Sequence, residues 1–85
     1  MRSFNYVIKD AAGIHARPAG LVVSEAKKYA STITIKSGEK SANATRLMAI
    51  MAMGVKCGNE VIVEVEGEDE DVAVEAIQAF FEANL

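Results

Sequence analysis

The only histidine of the chain, His15, is followed closely by Arg17 and Pro18 within the segment 13–19, GIHARPA. A neutral imidazole nitrogen is a nucleophile near pH 7. The guanidinium of Arg17 is a planar, permanently charged fork that suits phosphate oxygens. Proline is favoured in the first turn of a helix, so Pro18 places His15 at a helix entrance. These residue types in this order favour reversible phosphorylation of His15.

A helix that begins at this segment would place the partial positive charge of its N-terminus next to His15. Its first backbone N–H groups have no partners within the helix and can bind an anion. The helix N-terminus and Arg17 both disfavour the imidazolium and would stabilise a phosphoryl group during transfer. Gly13 would let the backbone turn sharply just before His15. The alternative is that His15 is only a capping or surface residue, the commoner role of a lone histidine at a helix start.

The bulk composition excludes several classes of protein. The 85 residues have a formal net charge of -3 and no stripe of Lys and Arg, so nucleic-acid binding is not expected. Cys57 is the only cysteine, so an internal disulfide and a Cys/His metal cluster are excluded, and no metal or cofactor is expected. No segment resembles a leader or approaches the roughly 20 apolar residues of a membrane span. We therefore expect a cytoplasmic protein without membrane insertion.

Two periodicities predict the elements that position His15. Alternation predicts strands over residues 4–8, 32–36, 41–44 and 60–66, the middle two forming a hairpin. Helical spacing predicts a first helix from the region of Pro18 to Ala30, a second over 47–53 and a third that opens with the acidic residues 68–71. The order β-α-β-β-α-β-α predicts a two-layer α+β fold, with residues 1–85 as one domain.

The helices also carry specific expectations about burial and helix ends. Thr45 is the candidate N-cap of the second helix, and Gly54 is expected to end it. The expected buried positions of the first helix are Val22, Ala26 and Tyr29, widened by Leu21, Val23 and Ala30. Those of the third helix are Ala73, Ala76, Ile77 and Phe80.

The segment 13–19, at this distance from the N-terminus, resembles the active-site signature of the histidine-containing phosphocarrier (HPr) family of the bacterial phosphoenolpyruvate-dependent sugar phosphotransferase system. Segments 47–54 and 66–70 also resemble that family, so the resemblance covers essentially the whole chain. It implies an open-faced β-sandwich, in which a four-stranded antiparallel sheet of order 1-4-2-3 carries three helices on one face.

The resemblance also implies a role for each residue of the signature. The protein would be a carrier rather than an enzyme, and Nδ1 of His15 would accept phosphate from Enzyme I. It would then pass the phosphate to the IIA domain of a sugar permease. Arg17 would contact the phosphoryl group, and the amides of Ala16 and Arg17 would help to hold it.

The second predicted helix is apolar nearly all round, and its side chains cannot all face one thin core. An exposed Met-rich patch would be an adaptable docking surface, although small domains commonly leave some apolar side chains outside. By resemblance, the partner surface is formed by Leu47, Met48, Met51, Gly20, Ser24 and Lys27. Many relatives have threonine in place of Gly20. The glycine removes a side-chain contact but lets a partner approach the backbone closely, and a neutral substitution explains the difference at least as well. A monomer is expected, because self-association would cover this surface.

One position departs from the family pattern. Many relatives have a serine at the start of the second helix, and a dedicated kinase of low-GC Gram-positive bacteria phosphorylates it. Here Arg46 occupies that position, and arginine cannot accept phosphate there. We predict that this kinase does not modify the chain, or at most modifies Thr45, which is otherwise only a cap.

Two rival functions use the same residues. An HPr-like regulatory or nitrogen-branch module would act mainly by docking to other proteins. A small hydrolase would use His15 as a base, although no nucleophile is recognisable in the sequence. Transfer experiments with the two kinds of IIA domain separate the first rival from a sugar carrier.

Overall fold

The seven elements occur in the predicted order β-α-β-β-α-β-α, in a computed structural model that describes all residues 1–85. Their bounds are β1 (Arg2–Val7), α1 (Ala16–Ala26), β2 (Thr32–Ser37), β3 (Lys40–Asn43), α2 (Leu47–Ala52), β4 (Glu60–Glu66) and α3 (Glu70–Asn84). The predicted hairpin is present, since β2 pairs with β3 in antiparallel register.

The four strands form one antiparallel sheet in the order β1-β4-β2-β3. In the register of the sheet, Val63 lies between Phe4 of β1 and Ile35 of β2. All three side chains are buried, whereas the neighbouring Ile62 is exposed, because successive side chains of a strand point to opposite faces. One face is therefore covered by helices and the other is open, which confirms the predicted open-faced α+β sandwich and its strand order.

Phe81 of α3 is the aromatic centre of the core. Its ring packs edge-on against the rings of Phe4 and Tyr6, with centroid distances of 5.7 and 5.8 Å. Of the expected buried stripe, Ala73 and Ile77 are buried, whereas Ala76 and Phe80 are only half-buried, Phe80 packing against the core. Phe80 and Phe81 both fit a helical period, and contact with the β1 aromatics selects Phe81. The buried residues of α3 are Ala73, Val74, Ile77 and Phe81.

Helix α1 ends at Ala26, earlier than predicted. The amides of Lys28 and Tyr29 bond to carbonyls only three residues back, which tightens the last turn. The carboxylate of Asp69 then accepts the amide N–H of Ala30 at 2.9 Å, just before β2 begins at Thr32. Ala30 is therefore exposed rather than buried. Leu21, also expected in the stripe, is exposed, and the buried residues of α1 are Pro18, Ala19, Val22 and Ala26.

The N-cap of α2 is Arg46, so the prediction of Thr45 as cap is wrong. Thr45 instead turns back to Asn43, whose Oδ1 accepts its hydroxyl at 2.6 Å and its amide at 2.9 Å. An asparagine side chain commonly binds the backbone two residues on, and here that turn takes up the Thr45 hydroxyl. The expected end of the helix is confirmed, since Gly54 follows with a φ of 63°.

The fold offers neither a membrane-spanning helix nor a cluster of metal-binding side chains. No helix combines the length and the apolar character that crossing a lipid bilayer requires. No three side chains of His, Cys, Asp or Glu converge in a way that would hold a metal ion. Cys57 is exposed and unpaired, and its thiol lies 3.7 Å from the carbonyl oxygen of Lys9.

Candidate functional site at the start of the first helix

The loop between β1 and α1 is fixed by backbone hydrogen bonds to two other parts of the chain. Ile8 exchanges bonds with the segment 54–59, since its N–H donates to Asn59 at 2.9 Å and its carbonyl accepts from Gly58 at 2.8 Å. The amides of Lys9 and Asp10 both donate to the backbone oxygen of Leu85, at 2.6 and 2.8 Å. The path that leads to His15 is therefore held by the 54–59 segment and by the end of α3.

Gly13 makes the sharp turn that the sequence predicts. Its φ is +71°, a region that favours glycine. A Cβ on Gly13 would lie 2.2 Å from the carbonyl oxygen of Val55. The next residue is anchored to the same carbonyl, because the amide of Ile14 donates to it at 3.1 Å. The backbone just before α1 therefore lies against Val55, and the side chain of Ile14 is buried.

His15 is the N-cap residue of α1, as the placement of Pro18 predicts. Its backbone is extended, and its carbonyl accepts the first helical bond from Ala19 at 2.9 Å. Its imidazole makes no capping hydrogen bond, and 42% of the side chain is exposed. The ring is therefore attached to a fixed backbone and is reachable from solvent.

The first turn of α1 presents two free backbone donors beside this ring. The N–H groups of Ala16 and Arg17 donate to no acceptor, and Pro18 has no N–H to offer. The Arg17 side chain is exposed and forms no ion pair. The residues predicted to hold a phosphoryl group thus follow His15 directly in the chain, and their hydrogen-bonding groups have no partner within the protein. Such a helix start attracts anions, because the dipole and the free N–H groups both favour negative charge.

Asp10 is a charged neighbour of His15 that sequence reasoning missed. Its Oδ1 lies 3.8 Å from Nε2 of His15. The same oxygen accepts the amide of Ala12 at 2.9 Å, and the carbonyl of Asp10 accepts the amide of Gly13 at 2.9 Å. The available signal was the pattern of an aspartate three residues before a glycine, which is typical of a turn whose carboxylate accepts the backbone amide two residues on.

The acidic run at the start of α3 serves the scaffold. The hydroxyl of Ser31, followed by the amide of Ala30, holds the pKa of Asp69 below its usual value. The amide of Gly67 donates to Glu70 at 3.1 Å and lowers the pKa of that carboxyl. Two of these carboxylates therefore tie loops together, which explains the run without a metal ion.

The predicted partner surface lies on two helices that contact each other, α1 and α2. Its three apolar members are exposed, Met48 most of all at 75%. Ile50 of α2 and Met53, which caps the end of α2, are buried, so this apolar segment is divided between the core and the surface as expected. Ser24 and Lys27 are exposed as well. The exposed α2 members are Leu47, Met48 and Met51.

The two positions that depart from the family pattern are also placed. Gly20 is half-buried in α1, and a Cβ there would meet no atom within 4 Å, so packing does not require glycine. Arg46 is exposed at the start of α2, beside the apolar surface residues. Thr45 is half-buried, and its hydroxyl is bound to Asn43.

The chain is similar to known proteins along most of its length. A family model described as the PTS HPr component phosphorylation site matches residues 2–83. Phosphocarrier protein HPr of Mycoplasma capricolum is 42% identical over 78 residues, covering 92% of this chain and 88% of that protein. An HPr structure from Thermoanaerobacter tengcongensis superposes with a TM-score of 0.93 and 39% identity, covering 99% of this chain and 94% of that one.

A solved histidine-containing phosphocarrier protein from Mycoplasma also has a TM-score of 0.93, with 39% identity over 96% of this chain and 93% of that one. The curated relatives are named as phosphocarrier proteins, that is, as carriers rather than catalytic enzymes. Because the family model matches residues 2–83 and the named relatives are similar over most of their length, this chain belongs to the HPr family of phosphocarrier proteins.

Proposed function

We propose that residues 1–85 act as one unit that carries a phosphoryl group on Nδ1 of His15 in the phosphoenolpyruvate-dependent sugar phosphotransferase system. The chain accepts the group from Enzyme I and donates it to the IIA domains of sugar permeases in the cytoplasm. The observation that supports this most strongly is the exposed His15 ring beside the unpartnered amides of Ala16 and Arg17.

The chemistry needs little more than these groups. The lone pair of Nδ1 attacks phosphorus, a P–N bond forms, and the donor's bond to phosphorus breaks and leaves its electron pair with the donor. Negative charge on the phosphoryl oxygens is stabilised by the two free amides and by the Arg17 guanidinium. The reverse sequence of events, with a nucleophile of the acceptor protein attacking phosphorus, passes the group on.

A carrier also needs a surface that serves donor and acceptor in turn. Leu47, Met48 and Met51 supply an exposed apolar centre, and flexible methionine side chains can repack against different partners. Ser24 and Lys27 flank it on α1. Such a surface suits weak, rapidly exchanging complexes, and the chain acts as a monomer so that the surface stays free.

The test is a transfer assay in two stages. The protein is incubated with Enzyme I and phosphoenolpyruvate, and then with either a sugar-specific or a nitrogen-type IIA domain. Phosphate on this chain that moves to the sugar-specific domain supports the proposal. Transfer only to the nitrogen-type domain would assign the chain to a nitrogen branch, and phosphate that reaches neither domain would favour a regulatory docking module.

A further inference from the structure

Among the carboxylates of the chain, that of Asp10 is the one within 4 Å of the His15 ring, with Oδ1 3.8 Å from Nε2. Its position is fixed by the Ala12 amide on the same oxygen and by backbone bonds on both sides of Asp10. The side chain of Asp10 is 25% exposed, less than the ring that it faces. It is a fixed negative charge on one side of the imidazole.

We propose that Asp10 is a positioning residue that faces Nε2 of His15 and keeps a proton on that nitrogen during phosphoryl transfer. The proposal rests on the proposed function of His15. It assigns Nδ1 as the free nucleophile because Nε2 is directed to the carboxylate. A carboxylate beside one ring nitrogen selects the tautomer in which that nitrogen carries the hydrogen.

A proton on Nε2 matters most when the phosphoryl group leaves. The P–N bond breaks, and its electron pair returns to Nδ1. If Nε2 holds a proton, the departing ring is a neutral imidazole, whereas without that proton it is an imidazolate, a far poorer leaving group. In the forward direction, attack by Nδ1 creates a positively charged ring, which a carboxylate at 3.8 Å stabilises. Asp10 therefore helps the group both to arrive and to leave.

The other charged groups around the ring act in the opposite sense. Arg17 and the N-terminal dipole of α1 contribute positive charge next to His15 in the chain. Lys56 belongs to the 54–59 segment, whose backbone lies against Gly13, and the Cys57 thiol of that segment points to the carbonyl of Lys9. From α3, the backbone oxygen of Leu85 reaches the loop through the amides of Lys9 and Asp10. Asp10 supplies the opposing negative charge.

The experiment uses the full chain, phosphorylated by Enzyme I and phosphoenolpyruvate, as wild type and as Asp10→Asn. Asparagine retains an oxygen for the Ala12 amide but has no charge. Asp10→Ser is a second neutral variant whose hydroxyl can accept the same amide. Glu68→Gln is the matched control, because it removes one exposed carboxylate after β4, at the opposite end of the sheet from the β1–α1 loop. Nitrogen-15 NMR follows Nδ1 and Nε2 as a function of pH, and phosphohistidine hydrolysis is timed in parallel.

We expect the protonation midpoint of Nε2 in the phosphorylated ring to fall by about 0.5 pH unit in Asp10→Asn and Asp10→Ser, as expected for loss of a partly exposed charge at this distance. At pH values above both midpoints, phosphohistidine hydrolysis in the two variants should be about threefold slower than in the wild type. A fall of about 0.5 pH unit reduces the fraction of rings protonated on Nε2 by that factor. Glu68→Gln should match the wild type.

Equal midpoints and equal hydrolysis rates in wild type and Asp10→Asn, with phosphate on His15 in both, would overturn the role of Asp10 and leave the carrier function standing. Phosphate on Nε2 would overturn it as well, since Asp10 is proposed to reserve that nitrogen for the proton. An absence of phosphate on His15 of the wild type would overturn both proposals.

Discussion

The α-carbon of Gly13 lies so close to the carbonyl oxygen of Val55 that a methyl group cannot fit between them. A Cβ would be 2.2 Å from that oxygen, on a residue whose φ is +71°. We expect Gly13→Ala to lower the free energy of unfolding by about 3 kcal/mol, because it combines left-handed strain with a backbone clash. Urea denaturation followed by circular dichroism measures this loss.

Gly20→Ala is the control for that substitution. Gly20 is inside α1 with open space where a Cβ would be, so alanine should raise the free energy of unfolding by about 0.5–1 kcal/mol. A Gly13→Ala protein as stable as the wild type would show that the segment carrying His15 is not held against Val55.

Substitutions at Ile50 and Met48 of α2 should show separate effects on stability and on docking. Ile50 is completely buried, so Ile50→Ala should cost about 2–5 kcal/mol of stability. Met48 is 75% exposed, so Met48→Ala should change stability by less than about 0.5 kcal/mol. If α2 is the partner surface, Met48→Ala should nevertheless raise the KM for transfer from Enzyme I about threefold to tenfold. Transfer kinetics that are unchanged in Met48→Ala would place the docking surface elsewhere.

Arg17 makes no ion pair within the fold, so its removal should affect transfer and not stability. We expect Arg17→Ala to slow phosphorylation of His15 by about 10- to 100-fold, because one charged donor to the phosphoryl oxygens is lost. Arg17→Lys keeps the charge without the planar fork, so its phosphorylation rate should lie between those of the wild type and Arg17→Ala. Rapid-quench kinetics measure the rates. An Arg17→Ala protein phosphorylated at the wild-type rate would exclude a role for this side chain in transfer.

The contribution of Asp69 to the free energy of unfolding should be lost at acidic pH. The Ser31 hydroxyl and the Ala30 amide hold the pKa of Asp69 below its ordinary value of 3.8. A carboxyl group whose pKa is lower in the folded state stabilises the fold above its unfolded-state pKa, and this contribution is lost as the pH falls through the folded-state pKa. We expect Asp69→Asn to be less stable than the wild type near neutral pH, with the difference shrinking below about pH 4.

Urea denaturation of the wild type and Asp69→Asn across this pH range measures that difference. A gap between wild type and Asp69→Asn that is the same at acid and neutral pH would show that the Asp69 carboxylate does not stabilise the fold through its charge.

Strong periodic patterns and local helix rules predict most of this fold from the sequence. The strand over 60–66 is found with the predicted bounds, and Pro18 correctly places His15 at the start of α1. Errors arise where two local solutions are nearly equal and a tertiary contact decides between them. Phe80 and Phe81 both fit the helical period, and only the rings of Phe4 and Tyr6 select the second.

Two other differences come from a local side-chain bond at Thr45 and from the folded loop that carries Asp10. Thr45 fits the preferences of an N-cap, but Asn43 binds its hydroxyl and moves the cap to Arg46. The proximity of Asp10 to His15 depends on a turn whose geometry also involves Gly13, Val55 and the end of α3. Sequence spacing gives the order of these residues along the chain, and the distance between Asp10 and Nε2 follows only from the folded loop.

The most direct test of the account is to locate the phosphate on the protein. Wild type and His15→Ala are incubated with Enzyme I and phosphoenolpyruvate, and phosphate is located by phosphorus-31 NMR and by mass spectrometry under alkaline conditions. Because the His15 side chain makes no hydrogen bond within the fold, His15→Ala should unfold like the wild type. We predict one acid-labile phosphate on Nδ1 of His15 in the wild type and none in His15→Ala. Equal labelling of the two proteins, or no label on the wild type, would contradict the account.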